Sequence, residues 1–573
     1  MTDNDKPNDA EQSETNGVDS ATTQRARRRE AALRRLGATG PTKRGAIGLG
    51  VGAVVAVAAI TSVGSLWASP SPDMDTAARA ADLPATDTLS VCPGTPKLPK
   101  GSDESTDLEF SAESSDAVSA LTVTAASDLA GNIPGISYYA TKTDPDKQPS
   151  ATEITDALDE EVQQGPPATA AEDGTVTKRA DYDVVSEPDK HGHSIALSTQ
   201  PVGGTPGIAA GTAQYAATDG DLAGMTTGAC TPAAHEHWLP GATTTTGTTA
   251  VLTVTNPSAT NSTVNLDVFD EDGPVEASGA SGIVLAPGQT RSMLVAGLAP
   301  RQESVAVHVS SSGGPVAADI QQNRLDGIVP AGVDTLQSAA TGTDLVIPGV
   351  EISKDAEDIA ERSDLDGQGP ALHVASTGSG ASATITLRGP YGLIELPSKA
   401  SAIEVAPGAT TTVDLGDVKP GTYAVEIESD ANVVASATTV AFNKAADNED
   451  ATGNTSAVDT AYMPSTKPIR GETMVSLPAL TDPEAKLVLT SAQDADVTIT
   501  PVDSKGKRGE PFTQELAADT AVTVNEKADS YLLETGSNAV HAGLMVDSSA
   551  GISTVPVNTV SETGSGLPVR VGY

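Results

Sequence analysis

Residues 283–309, IVLAPGQTRSMLVAGLAPRQESVAVHV, return in altered form at residues 403–427, IEVAPGATTTVDLGDVKPGTYAVEI. Both read as a strand, an Ala-Pro-Gly turn, a second strand, a Gly-x-x-Pro connection and a third strand with Ala-Val at its centre. The two Ala-Pro-Gly elements, 286–288 and 406–408, stand 120 residues apart. Upstream, Leu239-Pro240-Gly241 and Ile347-Pro348-Gly349 open the two units, 108 residues apart. A weaker copy begins at Leu477-Pro478-Ala479 and continues through KLVLTS (486–491), DVTITPVD (496–503), TAVTVNE (520–526) and HAGLMVD (541–547). A repeat of this length, with about seven short strands, has the size of an immunoglobulin-like sandwich and exceeds a propeller blade of about 40–50 residues.

The strands carry the period expected of half-buried sheets. In TVNLDVF (263–269), Val264, Leu266 and Val268 fall on one face and Asn265 and Asp267 on the other. AVLTVTN (250–256) alternates in the same way. The first stretch has less clear strands, ALTVTAA (120–126) and SIALSTQ (194–200), and reads as a divergent copy. ATEITDALDEEVQ (151–163) is the best helical candidate outside the N-terminus, ended by Gly165-Pro166-Pro167. Residues 445–460 read as an acidic linker or long loop. The expected fold class is therefore mainly β: tandem immunoglobulin-like β-sandwich modules behind one N-terminal transmembrane helix. The expected division is a disordered basic tail (1–44), the membrane helix (45–68), a stalk (69–90), a first β-rich module (91–235) and sandwiches at 236–340, 341–466 and 467–573. Stacked end to end, these would project outward from the membrane.

The membrane expectation rests on the uncharged run of 24 residues from Gly45 to Ala68. About 20 apolar residues suffice to cross a bilayer as a helix. Arg25, Arg27, Arg28, Arg29, Arg34, Arg35, Lys43 and Arg44 precede it, while Asp73, Asp75 and Asp82 follow. That asymmetry puts the N-terminus in the cytoplasm and the bulk outside. A cleaved signal peptide is the competing reading, but the run is longer than the usual apolar region of about 7–15 residues. Gly48 and Gly52 have the GxxxG spacing that lets two helices approach, and Trp67 suits an interfacial anchor.

Beyond residue 68 the chain holds 25 basic and 69 acidic residues, because the first 44 residues take 9 of its 34 basic and 7 of its 76 acidic ones. A net charge of −44 repels nucleic acid and acidic polymers. Aromatic residues make up 3% of the chain, which leaves few platforms for stacking ligands. Cys92 and Cys230, the only cysteines, bracket the first module; outside the cytoplasm an even pair suggests a disulfide, the alternative being two free thiols. The bond would close a loop worth roughly 4–5 kcal/mol in the chain-entropy model.

Catalytic signatures are missing from the sequence: no nucleophile elbow, phosphate loop or His-Glu-x-x-His occurs. His191-Gly192-His193 and His235-Glu236-His237 each set two imidazoles on one face of a strand, but a zinc site needs a third ligand. Asp270-x-Asp272-Gly273 and Asp364-x-Asp366-Gly367 resemble fragments of calcium loops without the bidentate twelfth-position Glu. The expectation is no catalytic residue, no cofactor and no metal.

Several motifs carry a family resemblance: Cys92-Pro93-Gly94, Gly220-Asp221-Leu222-Ala223-Gly224, Trp238-Leu239-Pro240-Gly241, Val254-Thr255-Asn256-Pro257, Asp272-Gly273-Pro274-Val275-Glu276-Ala277 and Gly313-Gly314-Pro315-Val316-Ala317-Ala318. Through these the chain resembles an actinobacterial membrane-anchored family of unknown function. The resemblance implies an envelope protein whose genes tend to lie near glycosyltransferase genes, and it brings no functional residues with it. The leading functional expectation is a non-enzymatic envelope scaffold whose partners are envelope proteins or glycans. The alternatives are an accessory of envelope-glycan assembly, binding glycan or a glycosyltransferase complex, and a hydrolase with an unrecognised site.

Overall fold

The computed structural model describes residues 85–558 apart from 99–113, 128–130, 145–148, 165–176, 184–192, 328, 361–368, 397, 444–456 and 481–483. The membrane run, Gly48, Gly52, Trp67, His191, Asp364, Asp366 and Gly367 lie outside the described residues. No described helix is long and apolar enough to cross a membrane.

The body is built from antiparallel sheets in four successive groups. In the first, the sheet containing Thr88–Cys92, Ile136–Ala140 and Ile195–Thr199 faces one containing Val118–Ala126, Thr177–Asp183, Ile208–Ala217 and Gly224–Ala229. Between them lie Leu121, Val123, Ile136 and Leu197, with the Cys92–Cys230 disulfide. In the second group, Glu236–Ala242, Ser262–Asp270 and Val305–Gly313 face Thr248–Thr255, Thr290–Leu294, Ala317–Asp326 and Val329–Leu336. Val264, Leu266 and Val268 are buried, whereas Asn265 and Asp267 are exposed, so the period-two pattern sets the register as expected.

The third group is a single connected sheet, because one 23-residue strand, Gly421–Asn443, belongs to both of its layers. Its first part pairs with Ala381–Gly389, and its last part pairs with Ala371–Ser376 and Ala457–Pro464. In the fourth group, Glu472–Ser476, Ala495–Val502, Phe512–Leu516 and Ser530–Thr535 face Glu484–Ser491, Thr520–Thr523, His541–Ser548 and Gly551–Pro556. Val, Leu, Ile and Ala dominate the interiors.

The repeated Ala-Pro-Gly element has one physical role in both copies. The N–H of Gln289 donates to Ala286 O at 3.1 Å and that of Ala409 to Ala406 O at 3.1 Å, closing a four-residue turn. Pro sits second and Gly third, with φ of 69° at Gly288 and 62° at Gly408, as a type II turn requires. In the second group Asn256 locks this turn by donating Nδ2 to Leu285 O at 3.1 Å and Ala286 O at 3.2 Å.

Three expectations need correction. The helix proposed for 151–163 is instead a short strand, Thr152–Glu153, followed by a helix confined to Glu160–Gln164. Ile154 is buried and donates its N–H to Ile136 O at 2.8 Å, so sheet pairing outweighs local helix propensity. The acidic linker ends early, because Ala457–Pro464 is a strand. Nor do the modules form an end-to-end stack: among the described residues the first group packs on the fourth. There Thr124 Oγ1 meets Ser530 Oγ at 2.8 Å, Thr212 donates to Ser476 O at 2.6 Å, and Arg179 Nη2 donates to Leu477 O at 3.2 Å. Thr88 and Ser90, near the start of the described body, line the same small cavity as Pro556, Val557 and Asn558 at its end.

Replacing Gly288 or Gly408 by Ala imposes a left-handed conformation on a residue with a Cβ, and the new atom meets Pro149 Cγ at 2.8 Å or Pro274 Cγ at 3.0 Å. Each variant should lose about 1–2 kcal/mol of stability, read as a lower denaturant midpoint.

Candidate functional site at the module junction

Each of the four groups contributes one edge strand to a common junction: Gly224–Ala229, Val329–Leu336, Ala457–Pro464 and Gly551–Pro556. Edge strands expose unpaired N–H and C=O groups, and here several of the N–H groups are met by two buried aspartates. Asp459 Oδ2 accepts the N–H of Met225 at 3.1 Å and of Ile552 at 2.9 Å. Its Oδ1 accepts the N–H of Val333 at 3.1 Å and of Thr460 at 3.0 Å. The four donors come from four different groups of strands, and none of them can accept a proton.

Asp334 answers from the opposite strand. It accepts the N–H of Tyr462 at 2.7 Å and the hydroxyl of Ser553 at 2.9 Å, with further bonds from Thr226 and Thr335. Burial pushes the Asp459 carboxyl up to about 7, and its four backbone bonds pull against that rise. Burial likewise raises Asp334. Glycine is required beside the carboxylate: Gly551 has φ 145°, and a Cβ there would fall on Asp459 Oδ2.

The junction forms part of the wall of a cleft of about 940 Å³ between the second and third groups, where Gly332, Asp334, Thr460 and Tyr462 line it. This volume lies at the upper end of the roughly 300–1,000 Å³ common for small-molecule sites. Its other walls carry many polar side chains among apolar ones such as Pro370 and Val440. Threonines come from both sides, including Thr243, Thr245, Thr412 and Thr438. Arg324 shares the cleft with Glu303, Glu357, Asp414 and Asp417, which disfavours an anionic ligand. His373 also lines the cleft. Its Nε2 lies 3.0 Å from Thr438 Oγ1, its Nδ1 lies 3.4 Å from Ser304 Oγ and Thr412 Oγ1, and burial pushes the ring down to about 4. A neutral ring among hydroxyls can give one hydrogen bond and take another.

The histidine pairs read from sequence do different work. His237 is buried, its Nε2 donates to Val316 O at 2.7 Å, and burial lowers its pKa. His235 is exposed and contacts Ser311 Oγ. His193, described without its partner His191, has a pKa lowered by burial. Glu236 instead meets His308, whose other nitrogen lies 3.0 Å from Asp267 and whose ring stacks on Trp238 with centroids 4.3 Å apart. Asp270 Oδ1 accepts the N–H groups of Asp272 and Gly273, so Asp270-x-Asp272-Gly273 is a side-chain-closed turn. Among the described residues no three or more His, Cys, Asp or Glu side chains converge as a metal set.

Asp334 and Asp459 were not anticipated, although the sequence signals them. Val333-Asp334-Thr335 and Val458-Asp459-Thr460 repeat one tripeptide 125 residues apart, each inside an otherwise apolar strand.

A family model described as a family of unknown function (DUF5719) matches residues 184–527. The chain belongs to this family. The matched span holds three of the four junction strands, including both aspartates, and the whole cleft, but not Ile552 or Ser553. No match to a curated protein was found.

His373 and His541, both pushed down to about 4 by burial, are neutral when folded, whereas the unfolded chain protonates them near 6.5. Their contribution to stability is therefore present above 6.5 and lost as pH falls toward 4. Asp319, raised to about 7, acts with opposite sign: its contribution is full at low pH and lost as pH rises through 7. Between pH 6.5 and 4 the wild type should lose roughly 1–3 kcal/mol more than a His373→Gln/His541→Gln variant, after discounting for partial exposure, as measured by urea midpoints across the window.

Proposed function

We propose that the chain is a single-pass membrane-anchored envelope protein. Its N-terminus is cytoplasmic, its bulk lies outside, and it acts as a structural or interaction scaffold without catalysis. The observation that carries the compartment is the Cys92–Cys230 disulfide, which lies in the core of the first module; such bonds persist in oxidising surroundings. The arginine cluster before the uncharged run 45–68 supports the orientation. The scaffold reading draws support from the four interlocked modules and from an exposed hairpin tip, where Tyr391 is 99% and Leu393 53% exposed, the kind of apolar projection that meets partners.

A second reading, an accessory of envelope-glycan assembly, is favoured by the cleft. Its hydroxyl-rich walls suit a ligand recognised through hydrogen bonds, and its carboxylates leave little room for an acidic one. Soaking purified chain with neutral oligosaccharides and with uronic acids, followed by titration calorimetry, separates this reading from the plain scaffold: binding of the neutral series alone supports it.

A reporter enzyme that matures only where disulfides form, fused after Tyr573, should be active in intact cells. Activity confined to a cytosolic reporter at the same position would overturn the orientation. In the same cells a Cys92→Ala/Cys230→Ala variant should lose about 2–5 kcal/mol of stability, seen as a lower midpoint and faster proteolysis.

A further inference from the structure

We propose that Asp334 and Asp459 form a single latch, so that the four modules dock and release together rather than pair by pair. The geometry requires shared dependence. Asp459 has its donors on Met225 of the first module, Val333 of the second, Ile552 of the fourth and its own Thr460. Withdrawing any one module leaves a carboxylate in the interior with fewer bonds than it needs, which weakens its hold on the others.

Asp334 spans the same set in reverse, holding Tyr462 of the third module, Ser553 of the fourth and Thr226 of the first. The donors are also tied to one another: Thr227 N donates to Ser553 Oγ at 2.7 Å, and Thr226 Oγ1 lies 3.0 Å from Thr335 Oγ1. Apolar contacts flank these bonds, with Met225 of the first module in the core of the fourth and Leu222 of the first against Val333 of the second, so the two carboxylates sit in a dry seam. The cleft depends on the same device. Asp334, Thr460 and Tyr462 line it, and Tyr462 also receives a bond from Gln322 across the two modules. Release of the latch therefore removes a wall of the cleft, which links anything bound there to the docking of the first and fourth modules.

Native-state hydrogen exchange on the full chain tests this. In the wild type the amides of Met225, Val333, Tyr462 and Ile552 should exchange through one opening, with the same dependence on low denaturant. Four different dependences would show independent docking and overturn the proposal. In Asp459→Asn the amide group turns a donor toward backbone N–H groups. Exchange at Met225, Val333 and Ile552 should then rise together by about 100-fold, while core amides such as Val307 and Ile427 keep their protection. Acceleration confined to Thr460 would overturn the latch. Should Asp459→Asn fail to fold, the wild-type denaturant series decides alone.

Discussion

A carboxylate taken out of water must be met by donors, and in this protein that rule decides how four sheets-on-sheets are arranged. Each group of strands has a lean interior of small aliphatic residues, and each ends in an edge strand that would otherwise stand open. Asp334 and Asp459 turn those four edges inward. Because the four donors to Asp459 are backbone N–H groups, the requirement there falls on chain path rather than on side-chain identity, and glycines such as Gly551 keep the approach clear. The cost of burying charge is offset by four bonds to one carboxylate, a geometry that tolerates little displacement.

Beside small apolar clusters such as Val346 and Ala424 against Val488 and Met545, many contacts between modules follow the same chemistry. Thr124, Thr212, Ser476 and Ser530 join the first and fourth groups through hydroxyls. Ser436 donates to Pro240 O between the second and third. Arg388, almost fully buried, reaches Glu426 of its own group and lies 3.7 Å from Asp519 of the fourth. Interfaces of this kind specify position more than they add cohesion, since each hydrogen bond replaces one to water.

Strand content, the Ala-Pro-Gly turns and the cysteine pair could be read from the sequence because each rests on local rules: a period of two, a positive φ and a count of thiols. The junction could not be read in the same way. A threonine on the polar face of a strand looks identical whether it meets water or a neighbouring module, as Thr124 and Thr212 illustrate. Asp459 was hidden by the acidic residues before it, which made 445–460 look like a linker, although the repeated Val-Asp-Thr marked the position. Glu236 and His308 are 72 residues apart, and only strand pairing brings them together. The cleft was illegible for a related reason, since its walls come from turns and strand ends of two modules.

The meeting of the first group with the fourth has a consequence in time. Synthesis delivers the chain from one end, so residues 224–229 must wait for residues 551–556, more than three hundred positions later. Contacts of such long range are slow to form and leave their surfaces uncovered meanwhile. Until the last strand arrives, the earlier modules carry an unfinished seam, and that interval is when the nascent protein is most open to proteases and to holding factors.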